Sequence, residues 1–350
     1  MYLYPMVQWS RPLATLAPRL LERLQPLELA ELPTPVEQLP RLAGPGAAEL
    51  WIKRDDLSSP LYGGNKVRKL ELLLAAARRR GTGRVLTMGA RGSNHLLATV
   101  LHARSLGLAA TGVIFPQPPT EHVERNLAAD RGAGAELVEV GSKYLLAAGL
   151  MRALLRCRRR EGSWPYLIPG GGSNPLGALG FVNAGLELAA QVRAGLLPEP
   201  AAVYLAFGTG GTAAGLALGL ELAGLATRVV AVRVIDRLLA NRRRLLALLR
   251  ATRRLLRSGG DELPRPRRPG ANLEIEHRFF GDGYGRATKA GRRAVELFAG
   301  AGIILEDTYT GKAAAALLEA AGRKTGPLLY WHTLSGADIS SWVEKGRQDD

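Results

Sequence analysis

The chain has 350 residues, 47% of them hydrophobic, and a formal net charge of +16. That length and composition suit one large or two moderate globular units with packed cores and exclude global disorder. A single cysteine, Cys157, excludes an internal disulfide and fits a reducing, cytoplasmic setting, and the five scattered histidines show no metal-ligand spacing, so no metal is expected.

Residues 1–26 read as an apolar, arginine-dotted lead-in without the charged and apolar regions of a signal peptide. Residues 27–42, punctuated by Pro33, Pro35 and Pro40, read as extended. A strand over 49–54 leads to Asp55-Asp56. Their side chains point to opposite faces of an extended chain, so a structural or capping role is expected rather than a shared proton. Gly63-Gly64-Asn65-Lys66-Val67-Arg68-Lys69-Leu70-Glu71 then forms a tight loop running into a helix over 70–77. A lysine at that junction becomes a nucleophile toward carbonyls if it is desolvated or crowded by cations such as Arg68 and Lys69. Read by spacing alone, a surface lysine opening a basic helix is the favoured reading, since charged residues are mostly exposed.

From residue 85 to 168, strands over 85–88, 110–115, 136–140 and 166–168 alternate with helices over 94–106, 121–131 and 143–160. The Gly/Pro-rich run 169–175 reads as a domain crossing. Beyond it come a helix over 176–194, a strand over 202–207, a helix over 212–223 and a strand over 228–234. An arginine-rich helical stretch over 237–268 and a Gly/Pro-rich loop over 259–269 follow. Helices over 286–299 and 311–321, a strand over 328–331 and a polar, frayed tail after 341 complete the chain. The alternation predicts an α/β fold in two domains, each a mostly parallel sheet flanked by helices. Residues 1–65 and 175–350 form the larger in this reading and 66–174 the smaller. No stretch reaches the roughly 20 apolar residues of a membrane span. The eleven arginines between Arg237 and Arg268 follow leucines at helical spacing without interleaved aromatics. A solvated helix face explains that pattern better than a nucleic-acid platform.

Three further stretches carry chemistry. Gly208-Thr209-Gly210-Gly211-Thr212 lies between a strand and a helix, where unpaired amides and the helix dipole hold a phosphate. Written as G-x-G-x-x-A, with Asp236 ending the next strand, the same residues fit a dinucleotide site and an NAD(P)-dependent oxidoreductase. Ser93-Asn94-His95 begins another helix, where Ser93 or Asn94 can be a cap or present donors to a carboxylate. Tyr284 and Tyr309 stand beside glycines, an arrangement that packs a turn or leaves a phenol facing a cavity.

Together with Leu32-Pro33-Thr34-Pro35, Ile52-Lys53-Arg54-Asp55-Asp56-Leu57, Tyr309-Thr310-Gly311-Lys312 and His332-Thr333, these motifs occur in order across residues 32–336. The set resembles the family of 1-aminocyclopropane-1-carboxylate deaminase and D-cysteine desulfhydrase, pyridoxal-phosphate enzymes of the tryptophan-synthase-β-like fold. The resemblance implies the cofactor in a cleft between the domains, with Lys66 as its Schiff-base lysine and Asn65 beside it. Gly208, Thr209, Gly210, Gly211 and Thr212 would bind its phosphate, Asn94 its ring hydroxyl, and Thr310 and Thr333 its ring nitrogen. Ser93 would meet the substrate carboxylate and help move protons, and Tyr284 and Tyr309 would flank the substrate. The deaminase branch looks to have a glutamate after the tyrosine, whereas Thr310 is similar to the desulfhydrase branch, so the resemblance implies β-elimination from a small amino acid, with ring opening the alternative. A homodimer is implied as well. Arg91-Gly92 and Leu334-Ser335 depart from the family pattern, and Arg91 is positioned to recruit a second anionic group. A non-enzymatic reading, in which the arginine-rich stretch binds an anionic polymer, is separated from these by its steep salt dependence.

Overall fold

The computed structural model describes residues 11–39, 42, 46–264, 269–323 and 326–348, so the start of the lead-in and part of the 259–269 loop lie outside the described residues. Two sheets organise them. The first has six strands in the order β1-β2-β10-β7-β8-β9: Val36–Gln38 (β1), Leu50–Lys53 (β2), Ala202–Phe207 (β7), Arg228–Arg233 (β8), Leu273–Glu276 (β9) and Leu328–Trp331 (β10). Only β1 runs antiparallel, pairing Val36 with Lys53. The second has four parallel strands in the order β5-β4-β3-β6: Arg84–Ala90 (β3), Ala109–Phe115 (β4), Glu136–Glu139 (β5) and Tyr166–Leu167 (β6). The central strands of both are buried on both faces, which is why they read as continuous apolar runs.

The helices match the expected periodicity with small shifts. Val67–Arg79 (α3) starts three residues before the expected helix, Asn94–Ser105 (α4) and Glu121–Gly132 (α5) lie where predicted, and Leu146–Glu161 (α6) is preceded by one 3-10 turn. Pro175–Arg193 (α7) and Gly211–Leu222 (α8) pack against each other behind the large sheet. Arg242–Arg257 (α9) buries Leu245, Leu249 and Leu256 and turns most of its arginines outward, as the leucine spacing implied. Lys289–Gly300 (α10) and Thr310–Ala321 (α11) cover the other face. The lead-in gains a role: helices Pro12–Leu16 (α1) and Pro18–Leu24 (α2) bury Leu13, Leu20 and Leu21 in the large core.

The C-terminal tail is a correction. Instead of fraying, Ser340–Gln348 forms a helix (α12) packed on α5. A Cβ on Gly346 would lie 1.8 Å from the Ala128 carbonyl oxygen, and one on Gly132 2.0 Å from that of Trp342. The two glycines let the backbones meet, and such contacts leave no apolar periodicity to read.

The helix that follows Lys66 is buried, so the reading of that lysine as the start of an exposed basic helix fails. Arg68 donates to Asp55 at 2.7 and 2.9 Å and to Glu187 at 2.8 Å, while Lys53 donates to Glu187 at 2.6 Å. Trp331 Nε1 and Thr34 Oγ1 complete the shell of Asp55. Burial favours a protonated Glu187, but Arg68 and Lys53 overcome it and hold the carboxyl at about 2. This network bolts α3 to β2, β10 and α7. It gives Asp55 the structural role expected, and Asp56 pairs with Arg54 at 2.8 Å.

Candidate active site

A cavity of about 1330 Å³ opens at the carboxyl ends of β3, β4, β7 and β8, where parallel sheets present loops and helix N-termini. Asn65, Lys66, Ser93, Asn94, Gly208, Thr209, Gly210, Thr212, Tyr284, Tyr309, Thr310 and Thr333 all line it. Gly211 alone of the predicted residues stands behind the lining, where its amide donates to Ser173 Oγ at 3.0 Å.

Lys66 stands at the head of α3, and its amine donates to Asn65 Oδ1 at 2.5 Å. Asn65 Nδ2 in turn donates to Thr212 Oγ1 at 2.9 Å, so one side chain ties the lysine to the start of α8. The loop is held in place by Gly64 at φ +77°, whose missing Cβ would lie 2.6 Å from the Thr333 carbonyl oxygen. Enclosure lowers the Lys66 amine to about 8, with Glu306 opposing. The crowding by Arg68 expected from the sequence is not the cause, since Arg68 points into the buried network.

The turn Gly208–Gly210 opens α8 with Gly210 at φ +93° and no side-chain cap, leaving its first amides to a ligand or to Ser173. Lys69, one helical turn after Lys66, reaches the same place: its amine lies 3.2 Å from where a Cβ on Gly211 would sit and donates to the Gly171 carbonyl at 3.0 Å. Burial, and then Lys66, push that amine well below its ordinary range. A buried amine beside a helix N-terminus suits a phosphate, whose negative charge favours the protonated amine. The sequence reading missed this role for Lys69, although its i+3 spacing from Lys66 was visible.

Ser93 caps α4, its Oγ accepting from His95 N–H at 3.3 Å and Leu96 N–H at 3.5 Å, while it also lines the cavity. Asn94 Oδ1 is saturated by His122 at 2.8 Å, Asn126 at 2.7 Å and Tyr62 at 3.2 Å. Its amide nitrogen is thereby oriented as a donor. The Tyr284 and Tyr309 hydroxyls bond each other across an edge-to-face pair. Burial pushes the Tyr284 phenol up to about 12 and Tyr309 well above its usual value, so both are protonated donors. Lys312 supports them by donating to the Phe280 carbonyl at 2.8 Å, which pins the turn before Tyr284 to α11.

A carboxylate that the sequence reading passed over, Glu306, also lines the cavity. Its oxygens accept from the amides of Thr308, Tyr309 and Thr310 at 2.7–2.8 Å, the role of an acid at a helix start. Thr310 Oγ1 accepts from the Glu306 N–H at 2.7 Å and donates to its carbonyl at 3.1 Å. Two expectations are corrected at the rim. Asp236, the candidate ribose acid, bonds Lys143 at 2.5 Å. Arg91 lies outside the lining and pairs with Glu124 at 3.3 Å, so it recruits no second anion there.

Parallel sheets, a helix start fitted to a phosphate and a lysine of lowered pKa define an α/β enzyme that holds a phosphorylated carbonyl cofactor. Residues 27–330 match the pyridoxal-phosphate dependent enzyme family, and the chain belongs to it. It is 36% identical over 322 residues to a D-cysteine desulfhydrase of Klebsiella pneumoniae (strain 342), covering 89% of this chain and 94% of that one. It is 39% identical over 286 residues to nocardicin C-9' epimerase of Nocardia uniformis subsp. tsuyamanensis, covering 81% and 85%. The crystal structure of an ACC deaminase homologue superimposes with a TM-score of 0.78 at 31% identity, covering 97% of this chain and 99% of that one. Its fold is therefore that of the fold-type II pyridoxal-phosphate enzymes, and the NAD(P)-dependent reading falls. No helix among the described residues is long and apolar enough to cross a membrane.

The lowered Lys66 pKa has a kinetic consequence. Only the neutral amine attacks an aldehyde, and with a pKa of about 8 roughly a tenth of it is neutral at pH 7. Capture of pyridoxal phosphate by cofactor-free protein is expected to quicken about tenfold per pH unit below 8 and to level off above it. Stopped-flow absorbance measures this, and a rate still climbing at pH 10 contradicts the assignment.

Proposed function

We propose that the protein is a pyridoxal-phosphate-dependent lyase that eliminates the Cβ substituent of a small amino acid, as a D-cysteine desulfhydrase does, releasing pyruvate, ammonia and sulfide. Lys66 holds the cofactor covalently, with Asn65 orienting its amine, while Gly208–Thr212 and Lys69 take the phosphate. The Asn94 amide would hold the ring hydroxyl, and Thr310 and Thr333 would face the ring nitrogen. Bound there, pyridoxal phosphate supplies an electron sink for negative charge at Cα. Lys66 Nζ carries the Cα proton, Ser93 binds the substrate carboxylate, and the bonded Tyr284–Tyr309 pair keeps one hydroxyl proton to donate near the leaving group.

The observation that carries elimination over ring opening is the state of Glu306. Its oxygens are taken up by the three amides at the start of α11. With that carboxylate engaged, Thr310 and Thr333 would be the neutral neighbours of the ring nitrogen, a weaker sink that suffices when a good leaving group departs from Cβ. The likeness to an epimerase favours a second reading, in which the proton returns to the opposite face of Cα.

Cofactor-loaded protein is expected to release pyruvate from D-cysteine and β-chloro-D-alanine, measured by coupled reduction. Solvent deuterium entering Cα without pyruvate selects epimerisation, and 2-oxobutanoate from 1-aminocyclopropane-1-carboxylate selects ring opening. Absence of all three defeats the reading. We further propose two domains, 1–65 with 175–350 and 66–174, with α12 joining the smaller through α5. The setting we propose is a cytoplasmic homodimer, supported by the lone buried Cys157, that binds no nucleic acid, supported by the leucine-backed arginine face of α9.

A further inference from the structure

The cavity continues past the residues assigned to the cofactor and a small substrate. Its outer part is walled by the 3-10 turn Lys143–Leu145 on the small-sheet side and by residues 235–239 after β8 on the other, with Arg286 at the edge. The apolar side chains on these walls are unusually open: Tyr144 is 85% exposed, Leu238 84% and Leu239 50%. Large apolar groups left open at the mouth of one cavity cost free energy unless something covers them. Arg237 and Arg286 are exposed beside them, and among the described residues neither forms an ion pair. The one acid of this wall, Asp236, is spent on Lys143 across the mouth. The vestibule is therefore apolar in its walls, positive at its edge and continuous with the catalytic floor.

We propose that this vestibule is a substrate subsite for an amino acid whose side chain continues beyond Cβ as an apolar, aromatic-length group ending in an anionic group. The inference rests on the lyase reading and names its substrate class. The amino-acid end occupies the floor by Lys66 and Ser93, the apolar segment lies between Tyr144 and Leu238-Leu239, and the anionic end meets Arg237 and Arg286. For a thioether substrate the balance is R–S–CH2–CH(NH3+)–COO− plus water giving R–SH, pyruvate and ammonium. The Cα–H and Cβ–S bonds break first, and sulfur leaves with the electron pair and takes a proton; Cβ of the remaining enamine then takes a proton, and water adds at Cα and displaces ammonia, breaking the Cα–N bond and supplying the pyruvate oxygen.

The test uses cofactor-loaded protein with D-cysteine, S-benzyl-D-cysteine and S-(4-carboxybenzyl)-D-cysteine, read by pyruvate release and by calorimetric binding. The carboxybenzyl compound is expected to exceed D-cysteine in kcat/KM, and to bind more tightly, by at least about tenfold. The double variant Arg237→Gln with Arg286→Gln is expected to weaken binding of the carboxybenzyl compound about tenfold and of the benzyl compound less than about twofold, a charge-specific effect. Leu238→Ser is expected to weaken both arylated compounds alike. Turnover of D-cysteine with equal or weaker binding of the arylated compounds overturns the subsite and leaves the lyase reading standing. Pyruvate from none of the three overturns the lyase reading, and the calorimetric ranking then still decides the subsite. Equal weakening of both arylated compounds by the arginine variants overturns the anionic end.

Discussion

Lys66→Ala is expected to lower turnover by about 10⁴-fold, the upper end of what a positioned proton carrier supplies, and to abolish covalent retention of the cofactor. The side chain faces the cavity and, among the described residues, its amine bonds only Asn65, so its removal leaves the core untouched. The variant should therefore keep the wild-type unfolding midpoint while losing the visible band that survives dialysis in the parent. A variant that keeps both its band and a tenth of the parent's turnover would remove Lys66 from the chemistry.

Arg68→Met carries the largest expected stability effect, a loss of about 3–5 kcal/mol, because it leaves buried Asp55 without its ion-pair partner and takes one of two cations from buried Glu187. Asp55 would lose two charge-assisted bonds and Glu187 its bond at 2.8 Å, with only Lys53, Thr34 and Trp331 left nearby. The Lys143–Asp236 pair, both partners nearly half exposed, is the internal contrast: Lys143→Ala is expected to cost less than about 1 kcal/mol. Urea unfolding of the two variants measures the difference. An Arg68→Met midpoint equal to that of Lys143→Ala would refute the view that this network anchors the helix behind Lys66.

These two variants also mark what the sequence could and could not tell. The β7–α8 unit was legible because an apolar run, a glycine turn and an apolar helix follow each other without interruption, and its expected strand 202–207 coincides with the observed one. Lys66 was legible only as part of an ordered set of motifs, since one residue string fits a buried helix and a basic surface helix equally well. The destination of Arg68 was not legible: its partners Asp55 and Glu187 are 13 and 119 residues away, and no periodicity links them. Glu306 was missed because an acid before a helix reads as a cap, which it is, while its place on the cavity wall depends on how α11 meets the large sheet. Strand β9 and helix α12 were missed because charged residues and glycines fill positions where pattern reading looks for apolar ones.

Two amines of lowered pKa, the half-buried Lys66 and the buried Lys69, line the same cavity one helical turn apart; the carbonyl of the cofactor is expected on the first and its phosphate beside the second. Borohydride reduction of the loaded protein followed by peptide mass mapping separates them. The cofactor mass is expected on the peptide carrying Lys66, with Lys69 unmodified; the mass on Lys69, or on neither, would contradict the assignment from which the rest follows.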